Sequence, residues 1–244
     1  MLNRFGITEA GDAGLDLSWV DKLYPTLNVV ISKHLTTKNE KLLDALVNNK
    51  DKVIFHCTCT GYGGTVIEPN VPSPCEVRDG VIELVRRGFP AEQIVLRTDP
   101  IIPTEKGIAL VGNVWNLFAA TGIKRCRVSV IDIYPHVRER MLSAVGCVPF
   151  DGFKAPKEMF DNLNIEMMLH KNQYCFESCA ETDLPVAEGI GCISKKDFEV
   201  LHIPFVVDTV GGFQRKGCKC LAGKTELLKS KKQCPSGCIY CYWK

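Results

Sequence analysis

KVIFHC (residues 52–57) has an unbroken apolar core, Val53, Ile54 and Phe55, followed at once by a histidine and a cysteine. A strand wetted on one face alternates apolar and polar residues, whereas one covered on both faces does not. The stretch therefore reads as a strand of a parallel sheet. The pattern recurs outward in both directions, in RFGIT (4–8) and NVVIS (28–32) before it and in QIVLRT (93–98), CRVSVI (126–131) and QYCFES (173–178) after it. Helical patterns separate these runs. DLSWVDKLY follows the first, and TTKNEKLLDALVNN follows the second with Thr36 or Thr37 as cap. SPCEVRDGVIELVRRG has Ser73 as cap, Pro74 in the first turn and Gly88 as stop. PTEKGIALVGNVWNLFAATG ends at Gly122, PHVRERMLSAVG ends at Gly146, and KAPKEMFDNLNIEMMLHKN begins at Pro156. Such alternation predicts an α/β fold, a TIM-like β/α barrel that is whole, partial or permuted, over residues 1–210. The other arrangement is a flat doubly wound sheet. No G-x-G-x-x-G follows a strand, which removes support for its dinucleotide-binding form.

Polar residues gather where the strands end: Lys33 and His34, His56 to Cys59, Arg97 to Asp99, Asp132 to Tyr134, and Glu177 to Glu181. Parallel α/β folds build their active sites just past the C-terminal strand ends. His56, Arg97, Asp99, Asp132 and Glu181 are thus the candidate catalytic or substrate-contacting residues. Gly61, Gly63 and Gly64 in TGYGG (60–64) can bring backbone close to a ligand, and Glu68 follows them. Cys57, Cys59 and Cys179 also end strands; their default reading is a small buried hydrophobe.

A formal charge of +2 argues against an overall basic nucleic-acid surface. The charge is uneven, however, with eight Lys or Arg against one acid, Glu226, from Phe213 onward. Such a segment can meet a phosphate backbone or another anion, or can simply be a solvated face. No apolar stretch resembles a signal peptide or reaches membrane-spanning length, so a cytoplasmic location and no membrane partner are expected. Thiols stay reduced there, and the chain has thirteen cysteines, five of them between Cys218 and Cys241. The cluster points to metal or redox chemistry.

Residues 211–244 break the strand–helix alternation and read as a cysteine-rich tail. CPSGCIYCYWK (234–244) carries Cys234, Cys238 and Cys241 as C-x3-C-x2-C, and Pro235 to Gly237 suit a backbone that curls around a metal. With Cys218 and Cys220 there are five thiols, one more than a simple four-ligand zinc site needs. An iron–sulfur cluster held by three cysteines, a zinc site and a set of redox thiols are the readings, and count and spacing favour the first. Cys218 and Cys220 could bind a second metal, act as a redox pair or donate a thiol hydrogen to a substrate radical.

CPSGCIYCY resembles the cluster motif of radical S-adenosylmethionine enzymes, in the C-x-x-G-C-x-Y-C-Y form of the spore photoproduct lyase and DNA-repair-photolyase-like branch. The chain from Lys52 onward also resembles an uncharacterised bacterial family that carries this motif at its C-terminus. That wider resemblance rests on TGYGGTVIEPNVP (60–72), LRTDPIIPT (96–104), SCAE (178–181) and QRKGCKC (214–220). It implies that Cys234, Cys238 and Cys241 ligate three irons of a [4Fe–4S] cluster. The open iron would take S-adenosylmethionine, with Tyr240 near the adenine. An electron donor such as ferredoxin or flavodoxin is implied, and so is a 5′-deoxyadenosyl radical acting on a small-molecule, nucleotide or nucleic-acid substrate. TGYGG is similar to glycine-rich loops that hold the methionine amino group. Gln214 and Arg215 would tie the tail to the barrel. Radical S-adenosylmethionine enzymes usually carry the motif after the first strand. Here it comes last, which implies either a permuted order or a tail folded back over the barrel mouth. The reading from another class is a non-catalytic iron–sulfur or zinc protein for electron transfer, sensing or partner binding.

Overall fold

The computed structural model describes residues 4–178, 180–205, 211, 217–228 and 234–243. Eight strands form one sheet: β1 (Phe5–Ile7), β2 (Asn28–Ser32), β3 (Val53–Thr58), β4 (Ile94–Ile101), β5 (Arg125–Val130), β6 (Cys175–Ser178), β7 (Glu188–Gly189) and β8 (Lys224–Glu226). Every pairing is parallel, in the order β7-β6-β5-β4-β3-β2-β1-β8. The fold is therefore α/β. The apolar runs are buried on both faces, as in β3, where all six residues are buried.

Alternation along the strands sorts the core into two sides. Val53, Phe55 and Cys57 of β3, with Ile94, Leu96, Cys126 and Val128, face the helices. There they meet α1 (Glu40–Asn48) through Leu42 and Leu46, α2 (Pro74–Arg86) through Val77 and Val81, α3 (Glu105–Phe118) through Trp115, and α5 (Lys157–His170) through Leu163. On the other side Phe5, Ile7, Val29, Ile54 and Val95 pack with Phe198 of α6 (Lys195–Val200) and with Cys192, Cys218 and Cys220. The remaining helix, α4 (Pro135–Val145), ends at Gly146 in the left-handed conformation that glycine adopts without strain.

Local chemistry explains most boundaries. Ser73 forms a capping box with Glu76, and Pro74 occupies the first turn of α2. Two expectations differ in detail. Asn39, not Thr36 or Thr37, caps α1 by accepting from the Leu42 N–H. DLSWVDKLY forms only the single turn Val20–Lys22, because Trp19 is pulled wholly into the core and its indole donates to the Ala13 carbonyl. The segment 211–244, read from sequence without a strand, supplies β8, which lies beside β1. The edge strands β7 and β8 are not paired with each other among the described residues.

A cysteine-lined candidate site at the strand ends

A cavity of about 1160 Å³ lies past the C-terminal ends of the strands. Its walls hold Cys234, Cys238 and Cys241 on one segment, Cys218 and Cys220 on the segment before β8, and Cys192 on the loop after β7. Segment 234–243 is fastened there by two loops and a helix that follow three different strands. The loop after β2 contributes His34, whose Nε2 lies 2.8 Å from Ser236 Oγ. The loop after β3 contributes Ile67, whose carbonyl accepts from Ile239 N–H, and Asn70, which donates to the Pro235 carbonyl. Beyond β5, Arg140 donates to the Cys241 carbonyl, and His136 Nε2 lies 2.8 Å from the Tyr242 carbonyl.

The fastening is completed by a buried polar triad. Lys33 Nζ is 2.8 Å from Glu68 Oε1 and donates to Tyr240 Oη at 2.7 Å, while the Tyr240 hydroxyl donates to Glu68. Burial opposes the charge on Lys33, but Glu68, together with Cys238 and Asp99, outweighs it and raises the lysine pKa. Tyr240 is thus anchored by its hydroxyl with its ring at the cavity wall. Glu68→Gln removes the only carboxylate paired with Lys33 among the described residues and is expected to cost about 2 kcal/mol. Urea denaturation measures this, and a change within error would mean that the triad does not hold the segment.

The remaining candidates divide by position. Arg97, Asp99 and Asp132 line the cavity, with Arg97 forked onto Asp99 through Nε at 3.0 Å and Nη2 at 2.5 Å. His56 does not line it. It lies on the same strand face as Thr58 but one step deeper, wholly buried, with neither ring nitrogen partnered. Burial, followed by the guanidinium charges of Arg127, Arg97 and Arg125, holds its pKa well below the usual range, so the ring is neutral. Glu181 accepts from Ser129 Oγ at 2.7 Å and braces the end of β5. Gly61, Gly63 and Gly64 are not among the residues lining the cavity. A Cβ on Gly63 would meet the Pro72 carbonyl at 1.9 Å, so this glycine serves close loop packing. Cys57 and Cys59 belong to the helix-facing core, and burial pushes the Cys59 thiol up to about 12. Cys179, Gln214 and Arg215 lie outside the described residues.

The cavity thiols fall into two differently arranged groups. Cys218 Sγ and Cys220 Sγ lie 3.2 Å apart, and Cys192 N–H donates to Cys220 Sγ at 3.3 Å. Cys234, Cys238 and Cys241 are half-buried. Burial pushes Cys238 up to about 12; Lys33 opposes the shift, whereas Glu68, Cys241 and Cys234 add to it. A bound metal reverses such a shift by replacing the proton. Among the described residues no three His, Cys, Asp or Glu side chains converge as a group that could hold a metal ion.

Sequence reasoning missed Arg127, Cys192, Lys224 and Asp12, all at the cavity. It also missed the ion network beneath, in which Glu177 meets Arg125 at 2.7 Å, Arg127 at 2.8 Å and Lys196 at 3.1 Å. A signal was present for part of this. Arg125, Arg127 and Ser129 recur with the period of a strand, which marks one polar face on an otherwise apolar run.

Fold and site together define an α/β protein whose cysteine-rich segment covers a cavity at the ends of a parallel sheet. The chain belongs to the family described as a domain of unknown function (DUF1848), whose profile matches residues 24–243. No curated protein and no solved structure matches it. No helix among the described residues is long and apolar enough to cross a membrane.

Proposed function

We propose that the cavity is the active site of an iron–sulfur enzyme of the radical S-adenosylmethionine type. The observation that carries the reading is that Cys234, Cys238, Cys241 and Tyr240 line the same cavity as Arg97 and Asp132. The donor set fits the chemistry, because thiolates are the ordinary ligands of such clusters and each takes its own iron. A single zinc ion instead asks four ligands to converge on one point. Cys234, Cys238 and Cys241 would hold the [4Fe–4S] cluster. When bound, that group would supply the electron that splits S-adenosylmethionine into methionine and a 5′-deoxyadenosyl radical.

The protein's own residues orient ligands and exclude water. Lys33 and Glu68 fix the Tyr240 ring, and Tyr134, Tyr242 and Trp243 add apolar ring surface at the same wall. The volume exceeds the roughly 300–1,000 Å³ of a single small-molecule site, which leaves room for a substrate beside S-adenosylmethionine. The substrate is a small molecule, a nucleotide or a nucleic acid. The electron comes from a donor such as ferredoxin or flavodoxin, in a cytoplasm that keeps the thiols reduced.

We also infer that the sheet forms a β/α barrel. Its strand order is that of an eight-stranded barrel opened between β7 and β8. The flanking segments meet across that seam, where Leu221 N–H donates to the Ile193 carbonyl at 3.1 Å.

Anaerobic purification with iron and sulfide analysis, followed by incubation of the reduced protein with S-adenosylmethionine, tests the function. The expected product is 5′-deoxyadenosine. A full cluster with neither binding nor cleavage of S-adenosylmethionine would leave an electron-transfer or sensing protein. Zinc in place of iron would overturn the cluster itself.

A further inference from the structure

Strand register places three buried donors in one row across the cavity floor. Thr58 of β3 pairs with Arg97 of β4, and Arg97 pairs with Arg127 of β5. Neighbouring strands lie about 4.8 Å apart, so the three residues stand side by side, and all three line the cavity. Thr58 is 3% exposed and Arg127 1%. Each keeps a polar atom without a partner: Thr58 Oγ1, Arg97 Nη1 and Arg127 Nε. The other guanidinium nitrogens are in use. Arg97 gives two to Asp99, and Arg127 gives Nη1 to the Ile190 carbonyl and Nη2 to Glu177.

Buried donors are costly to leave unpaired, so three in a row on a cavity floor call for an acceptor. The local charge says which kind. Among the described residues Arg97, Arg125, Arg127 and Lys196 form ion pairs with three carboxylates, Asp99, Glu177 and Asp197, while Glu9, whose charge also reaches Arg97, is paired with Lys224, and beneath the row His56 is neutral. A carboxylate or phosphate oxygen suits two guanidinium edges and a hydroxyl.

We propose that Thr58, Arg97 and Arg127 form an anion subsite that seats a carboxylate or phosphate group of the substrate. The inference rests on the enzymatic reading of this cavity and gives its substrate a chemical class. The carboxylate of S-adenosylmethionine is the other source of the same chemistry. Its expected place is the cysteine wall, whereas the row belongs to the strands themselves.

The test uses the full chain carrying its metal, titrated calorimetrically with inorganic phosphate and, separately, with acetate in a buffer free of other oxyanions. Saturable binding of at least one is expected, and the stronger arm tells phosphate from carboxylate. Thr58→Val and Arg97→Gln should each weaken it roughly tenfold while iron content and far-UV circular dichroism stay unchanged. The affinity for S-adenosylmethionine should be the same with and without saturating anion. No saturable binding, or equal binding by wild type and both variants, overturns the subsite. So does competition with S-adenosylmethionine, which would assign the row to that molecule. Cluster and cleavage intact without anion binding removes the subsite alone, whereas anion binding without a cluster removes the radical reading alone.

Discussion

Cys238→Ala is expected to reduce iron and sulfide to background and to abolish the cluster's visible absorption. Cys238 is the middle thiol of its segment, tied through Cys241 N–H to its own carbonyl at 3.2 Å and preceded by Gly237, whose N–H donates to the Cys234 carbonyl at 3.3 Å. The next residue, Ile239, docks on Ile67, so the backbone holds this position whether or not a metal is bound. With the proposed ligand set, removing one of three thiolates would leave an iron without its ligand while the fastening contacts survive. The loss should therefore be of metal and not of fold. Cys75→Ala is the control, since Cys75 is exposed on α2 and does not line the cavity. Iron retained in Cys238→Ala would show that the ligands are wrongly assigned. Equal loss in both variants would show that the iron is adventitious.

Glu177→Ala should destabilise the protein by about 3–5 kcal/mol and lower Tm by roughly 10 °C. Glu177 is wholly buried on β6 and is the shared partner of Arg125, Arg127 and Lys196. Without it two guanidiniums remain deep in the sheet with Asp197 as their nearest carboxylate, 2.8 Å from Arg125. Burial by itself would raise the Glu177 pKa; the charges of Arg127 and Arg125 outweigh it and hold the group below the usual carboxylate range. A depressed carboxylate stabilises the fold at pH values above its unfolded pKa, about 4.3, and that contribution fades as pH falls through the folded value. Wild-type Tm should thus drop steeply below about pH 4.3, and Glu177→Ala should flatten that slope. A loss under 1 kcal/mol, or an unchanged acid slope, would remove this network from the account of stability.

The strands were legible because burial on both faces writes itself as a continuous apolar run, as in Val53–Phe55 or Val29–Ile31. Ser73, Pro74 and Gly146 were legible because caps and stops are satisfied within a few residues. β7, β8 and α6 were not, having two, three and six residues. Elements that short have no periodicity to read and exist because a neighbour pairs with them or packs on them. The same division runs through the site. Cys234, Cys238 and Cys241 announce themselves by spacing alone. The contact between Lys33 and Tyr240 spans 207 positions and that between Tyr240 and Glu68 spans 172, and no local pattern encodes either.

Pattern within short windows was sufficient for the central strands of a parallel α/β sheet, its longer helices and a thiol cluster on the last segment, since each depends on neighbours along the chain. Where that segment lies was settled only by the folded sheet. The segments after β2, β3 and β5 converge at one end because all their strands run the same way, and side chains from two loops and from α4 hold residues 234–243 there. Register likewise decided that Thr58, Arg97 and Arg127 stand in one row. A shift of one residue on any strand would turn its member of the row toward the helices.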